Sequence, residues 1–194
     1  IAVNSVQTFT NANGITLDLA GHKINTGSEY LKVEGGNLTV DDSSTEKNGE
    51  INASGLYTIY NTSSGTLTVN AGKLKNSAKK CIFSNGGNCV TTINGGTVTA
   101  TDSAAIAIYA GKCSITGGTV ESANPKYASE GSSSTSYIGT VSARGQDASV
   151  TITGGIVKNT AGTAIYALGS SKGRANIKIE GGEITSKYTT IYPY

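Results

Sequence analysis

Apolar and polar residues alternate with a period of two along most of this chain, and glycine-centred turns interrupt the alternation at regular intervals. The unit is clearest at Thr91-Thr92-Ile93-Asn94-Gly95-Gly96-Thr97-Val98: an inward position, an outward one, an inward one, a polar residue, a turn, and a new strand. Alternation of this kind predicts half-buried β-strands, and no segment carries the i, i+3, i+4 apolar stripe of a helix. Seven copies start at Leu17, Leu38, Leu67, Thr91, Cys113, Val150 and Ile177, with spacings of 21, 29, 24, 22, 37 and 27 residues. Self-similarity at this period predicts a solenoid, in which each unit buries its apolar face against its neighbours. The irregular spacing places loop insertions near residues 42–49 and 122–136, and residues 1–14 read as a lead-in.

Each unit holds three short strands. The first is the signature pair, as in Leu67 and Val69. The second follows the turn and carries Leu74, Val98, Val120, Val157 or Ile184. The third has its own signature at Thr58-Ile59-Tyr60, Cys81-Ile82-Phe83, Ala107-Ile108-Tyr109, Ala164-Ile165-Tyr166 and Thr190-Ile191-Tyr192. Three strands and three bends per turn predict an all-β fold: a parallel β-helix of about seven coils spanning 1–194 as one domain. Parallel crossovers favour the right hand, so a right-handed solenoid is expected. On these repeats the chain resembles the right-handed β-helices of the pectate-lyase-like superfamily. It resembles most the Gly-Gly-rich repeats of bacterial extracellular and surface proteins. That resemblance implies architecture far more than activity, because the fold carries lyases, hydrolases, adhesins and phage spikes.

Composition narrows the function classes. Charged residues make up 14% of the chain and the net charge is +2; no Lys/Arg cluster with interleaved aromatics appears, so nucleic acid is not an expected partner. No apolar run approaches the ~20 residues of a membrane-spanning helix. The chain opens at Ile1 without a signal-type segment, as expected of a mature or excised fragment.

Stacking turns equivalent positions into ladders about 4.8 Å apart. Aligned by the signature pair, one outward slot reads Asp18, Thr39, Thr68, Thr92, Ser114, Thr151, Lys178. The next reads Ala20, Asp41, Asn70, Asn94, Thr116, Thr153, Glu180. Thr68, Asn70, Thr92 and Asn94 therefore centre a flat polar face. It is either β-branched filler with self-bonding Asn, or a surface for a glycan, ice or another protein. Tyr60, Phe83, Tyr109, Tyr166 and Tyr192 each follow an inward Ile, and are expected to form an outward aromatic ladder broken at Tyr137-Ile138-Gly139. Such a ladder either stacks on itself or offers a platform to a sugar chain or a neighbouring molecule.

The acidic cluster Asp41 and Asp42, with His22 beside it, is the only candidate for catalysis. Two carboxylates and a His suit acid–base work on a glycoside. Against this, His22 occupies a turn slot, and Asp41–Asp42 open an insertion that reads as a solvated loop. No phosphate loop, zinc-type spacing or nucleophile elbow is present, so no cofactor and no metal is expected. Of the three cysteines, Cys81 and Cys89 are the preferred disulfide, with Cys89–Cys113 the alternative; Cys113 sits in an inward slot, as a buried thiol would. The expected function is a non-enzymatic extracellular structural or adhesive module at a cell surface or in a filament. Its partners would be adjacent repeats of a longer chain, copies of itself stacked end to end, or a surface glycan. The alternatives are a polysaccharide lyase or hydrolase, and an ice- or glycan-binding face.

Overall fold

The computed structural model describes residues 1–125, 139–145, 147–169 and 174–193. Among them are twenty strands, numbered in chain order, and no helix. Every pairing between strands is parallel, and the strands fall on three faces of a β-solenoid of about seven turns.

The first face stacks β2 (Ile15–Asp18), β5 (Asn37–Asp41), β8 (Thr66–Val69), the second parts of β10 (Lys80–Ile93) and β12 (Ile106–Ile115), then β15 (Ala148–Ile152) and β18 (Asn176–Ile179). The second face stacks β3 (Lys23–Gly27), β6 (Glu50–Ala53), β9 (Lys73–Asn76), β11 (Thr97–Ala100), β13 (Thr119–Ser122), β16 (Ile156–Asn159) and β19 (Glu183–Ser186). The third holds β1 (Gln7–Phe9), β4 (Leu31–Glu34), β7 (Tyr57–Thr62), the first parts of β10 and β12, then β14 (Val141–Arg144), β17 (Ile165–Leu168) and β20 (Ile191–Pro193).

Inward side chains stack in register into one core. Val69, Ile93, Ile115 and Ile152 form the stack expected on the first face, and all four are fully buried. On the second face Ile51, Leu74, Val98, Val120 and Val157 do the same. Ile59, Ile82, Ile106, Val141 and Ile165 do so on the third. Each such side chain contributes about 1.5–3 kcal/mol by leaving water.

The Gly-Gly turns follow from the close stacking of coils. A Cβ added at Gly95 would lie 2.3 Å from the carbonyl oxygen of Asn70 in the preceding coil, so no side chain fits there. Gly96 has φ +71°, a conformation costly for residues with a Cβ.

Two registers differ from the sequence reading. Ile15, not Leu17, stands over Leu38, so the first copy is shifted by two residues and Asp18 aligns with Asp41. In β12 the residue over Ile82 is Ile106, not Ile108. A period-two pattern is unchanged by a two-residue slide, so alternation alone does not fix either choice.

The lead-in is built into the solenoid. It contains β1, and Ile1 and Val3 exchange backbone hydrogen bonds with Asn25 of β3 at 2.8 and 2.9 Å, covering that edge. The insertion at 42–49 lies between β5 and β6. Most of the second insertion, and the Tyr137-Ile138 pair expected to break the aromatic ladder, lie outside the described residues.

Candidate functional site

The acidic cluster is a structural knot. Thr45 to Asn48 of the insertion are exposed, as expected of a solvated loop, but Asp42, which opens it, is buried. Its Oδ1 accepts hydrogen bonds from the Gly21 N–H at 2.8 Å, the Ser44 N–H at 3.1 Å and the Ser44 hydroxyl at 2.7 Å, and its Oδ2 accepts from the Gly49 N–H at 2.7 Å. Burial pushes its pKa up, but the donors from Ser44, Gly21 and Gly49 outweigh it and bring the value down to about 2. The Lys47 ammonium donates to the Asp42 carbonyl. The carboxylate thus ties the start and end of the insertion to the turn of the coil below.

Its neighbours do similar work. Asp18 Oδ1 accepts from the N–H of Ser43 at 2.8 Å and of Ala20 at 3.0 Å, and these bonds hold its pKa below the usual carboxylate value. Asp41 Oδ1 accepts from the Asp42 N–H at 2.7 Å. His22 is exposed, and its backbone bonds to Leu19 and Glu50. Among the described residues, no group of three or more His, Cys, Asp or Glu is placed to hold a metal ion.

The first face carries the Thr column with one change. Register places Thr16, Thr39, Thr68, Thr92, Ser114, Thr151 and Lys178 in line, so Asp18 leaves this column for the next. In that next column the Asn94 amide donates to Asn70 Oδ1 at 3.0 Å, and the Thr116 hydroxyl donates to Asn94 Oδ1 at 2.9 Å. The polar groups are joined along the axis, as expected of stacked Asn.

The aromatic ladder is two clusters rather than one stripe. The in-register column reads Lys32, Tyr60, Phe83, Ala107, Ser142, Tyr166, Tyr192. Tyr60 and Phe83 stack at 5.5 Å, and Tyr57 stacks on both at 5.1 Å. Tyr30 meets Tyr57 edge-on at 5.5 Å, while the Lys80 ammonium lies 5.5 Å from the Phe83 centroid. Tyr166 and Tyr192 stack at 5.8 Å. Tyr109 lies outside the column, because Ala107 pairs with Phe83; β12 then carries one extra residue, Ser84 aligning with Ile108 but Asn85 with Ala110. This bulge leaves Tyr109 51% exposed at the corner between the third and first faces, where it lines a groove.

The Cys81–Cys89 bridge is not formed. Cys81, Cys89 and Cys113 are free and buried. The segment expected to bend back on itself runs on as β10, so Cys81 packs in the core of the third face while Cys89 lies at the corner against Gly111. Burial pushes the Cys81 and Cys113 thiols up to about 12.

Two residues with structural roles were missed in the sequence. Asn76 and Asn159 are buried and cap corners, each accepting from two backbone N–H groups two and three residues ahead. The repeated Asn-Ser/Thr-Ala at Asn76-Ser77-Ala78 and Asn159-Thr160-Ala161 was the available signal.

The fold defines the class, an all-β parallel β-solenoid. No protein-family model matches the chain, and no curated protein or solved structure matches it either. What the surface does is therefore read from its geometry.

Proposed function

We propose that this chain is a non-enzymatic structural and adhesive module of an extracellular surface protein or filament, of the kind its Gly-Gly-rich repeats resemble. The observation that carries the reading is the state of Asp42. The best-placed acid for catalysis is buried with four hydrogen bonds, and both its oxygens serve to hold a loop. What the molecule presents outward instead is a polar face of Thr and Asn, in which Asn70, Asn94 and Thr116 are joined along the axis. A glycoside hydrolase reading would need two carboxylates free to exchange protons with a substrate.

The ends support stacking. β1 and β2 pair on one side only, as do β18, β19 and β20. Ile15, Ile179 and Ile191, which sit in the core columns, are 39%, 38% and 44% exposed. Open parallel edges with apolar residues beside them suit another coil of the same kind, either in a longer chain or in a second copy.

Two measurements test this reading. Incubation with polygalacturonate, with and without calcium, is expected to yield neither unsaturated product nor new reducing ends. Activity that disappears in an Asp41→Asn variant overturns the non-enzymatic reading. Light scattering over a concentration series, with negative-stain imaging, is expected to show rods that lengthen with concentration. Monomers at every concentration overturn self-stacking and leave the longer-chain version.

A further inference from the structure

The two ends of the solenoid are not complementary. At the C-terminal end the first, second and third faces are reached in the order β18, β19, β20. At the N-terminal end the chain enters on the second face, where Ala2 bridges Asn25, and then forms β1 on the third face and β2 on the first. A second copy laid on the C-terminal end can set its residues 1–3 against β19 and its β1 against β20, each one coil spacing of about 4.8 Å away. The winding β18, β19, β20, then residues 1–3 and β1 of that copy, skips the first face once. The copy's β2 therefore stands two spacings, ~9.6 Å, above β18, and the gap is one strand wide. The first-face edge is open in a single chain and in a stack of chains alike.

β18 pairs only with β15 among the described strands. The Glu180 N–H donates back to the Ile152 carbonyl at 2.8 Å. Successive residues of a strand address opposite sides, so the N–H and C=O groups of Ile177 and Ile179 point to the open side. Their side chains continue the core columns; Ile177 is half-buried and Ile179 is 38% exposed. What fits such an edge is repeated along the same face. β5, β8, β10, β12, β15 and β18 each lay two inward residues on the pair before, as Leu67 and Val69 lie on Leu38 and Val40. The outward residue between them is Thr or Ser until coil seven, where it is Lys178. The Lys178 side chain is 64% exposed and lies 2.8 Å from Glu180 on its own strand. Elsewhere the chain sets a carboxylate beside a lysine of the next coil: Glu121 and Lys158 are register partners, with nitrogen and oxygen 4.0 Å apart.

We propose that β18 docks an extended segment of another protein chain by strand addition. The segment lies parallel to β18, sets apolar residues over Ile177 and Ile179, and carries a carboxylate beside Lys178. Its backbone takes up the open N–H and C=O groups of the two isoleucines, which supplies affinity, and the alternate side chains supply selectivity. A lysine beside Lys178 is disfavoured, because like charges directly opposite one another on neighbouring strands repel. The inference goes beyond end-to-end stacking, since the next copy in a stack does not reach this strand.

The test uses the whole chain and a synthetic peptide of residues 64–71, which contains β8, carrying Thr68→Glu. Amide hydrogen exchange is followed by NMR. The Ile177 and Ile179 amides are expected to exchange about tenfold or more slowly at saturating peptide. The same peptide with Leu67→Ser and Val69→Ser is expected to give no protection. A peptide with Thr68→Lys instead is expected to bind about fivefold more weakly than the glutamate form. Lys178→Glu in the chain, at an exposed outward position, is expected to reverse that preference without disturbing the core. Four results would overturn the proposal. The two amides could be unaffected by the glutamate peptide, or protected as well by the serine peptide. The charge preference could survive Lys178→Glu, which would put the segment on another edge. Both amides could be protected in rods formed without peptide, which would mean that the next copy fills the slot. Light scattering of the chain alone decides self-stacking separately, whichever way the peptide result falls.

Discussion

The loop at Asp42 and the corner at Tyr109 are near opposites. The first has the residue types of a catalytic site: two adjacent carboxylates with a histidine in the preceding coil. Folded, it is full, because the backbone N–H groups of Gly21, Ser44 and Gly49 and the Ser44 hydroxyl occupy the Asp42 oxygens. The second has glycines, one tyrosine and two charges scattered over more than sixty residues of sequence, and nothing in their spacing marks them as a group. Folded, they surround a groove. Residue type announces chemistry, but a carboxylate is available for chemistry only where the fold leaves its oxygens unclaimed.

The contrast is broken most forcefully from the core outward. Ile93→Ala, in the first-face stack, is expected to cost roughly 2–5 kcal/mol in denaturant unfolding. This sets the scale for a fully structural residue; an unchanged melting temperature would mean that the inward face is misassigned.

Asp42→Ala is expected to cost about 2–4 kcal/mol, because three backbone N–H groups lose the acceptor that the buried Asp42 carboxylate supplies. If Asp42 behaves like a surface residue instead, at under about 0.5 kcal/mol, the knot described here does not hold the insertion.

The same residue gives the contrast a pH signature. The folded-state pKa of Asp42 is depressed to about 2 from 3.8, so its stabilising effect is fully present above about pH 4. It fades as pH falls towards about 2, where the carboxylate takes up its proton in the folded state too. Urea midpoints of wild type and Asp42→Asn measured from pH 7 to pH 2 should therefore converge below pH 4. A gap that stays constant across that range would place the stabilisation elsewhere.

The cysteines sharpen the picture with a smaller effect. All three are buried with thiols raised by burial, so iodoacetamide at pH 8 is expected to label none in the native protein. In denaturant without reductant it is expected to label three. Mass spectrometry showing a single labelled cysteine in denaturant would restore a disulfide. The smallest effect expected is that of Tyr109→Ala on folding, below about 0.5 kcal/mol, since the ring is half exposed on a bulge.

The sequence by itself determined the architecture. Alternation assigned Val69, Ile93, Ile115 and Ile152 to the interior, and the Gly-Gly pairs marked turns that the stacking of Gly95 on Asn70 explains. These features are local and repeated seven times, so a single error in one copy does not change the reading. Tertiary structure alone decided which residue stands over which. A slide of two residues keeps every side chain on its face, so alternation was silent on whether Leu17 or Ile15 stacks on Leu38, and whether Ile108 or Ile106 stacks on Ile82. Those two choices moved Asp18 beside Asp41 and took Tyr109 out of the aromatic column. The burial of Asp42 and the groove at Tyr109 both depend on contacts between coils, which become fixed only when the register is set.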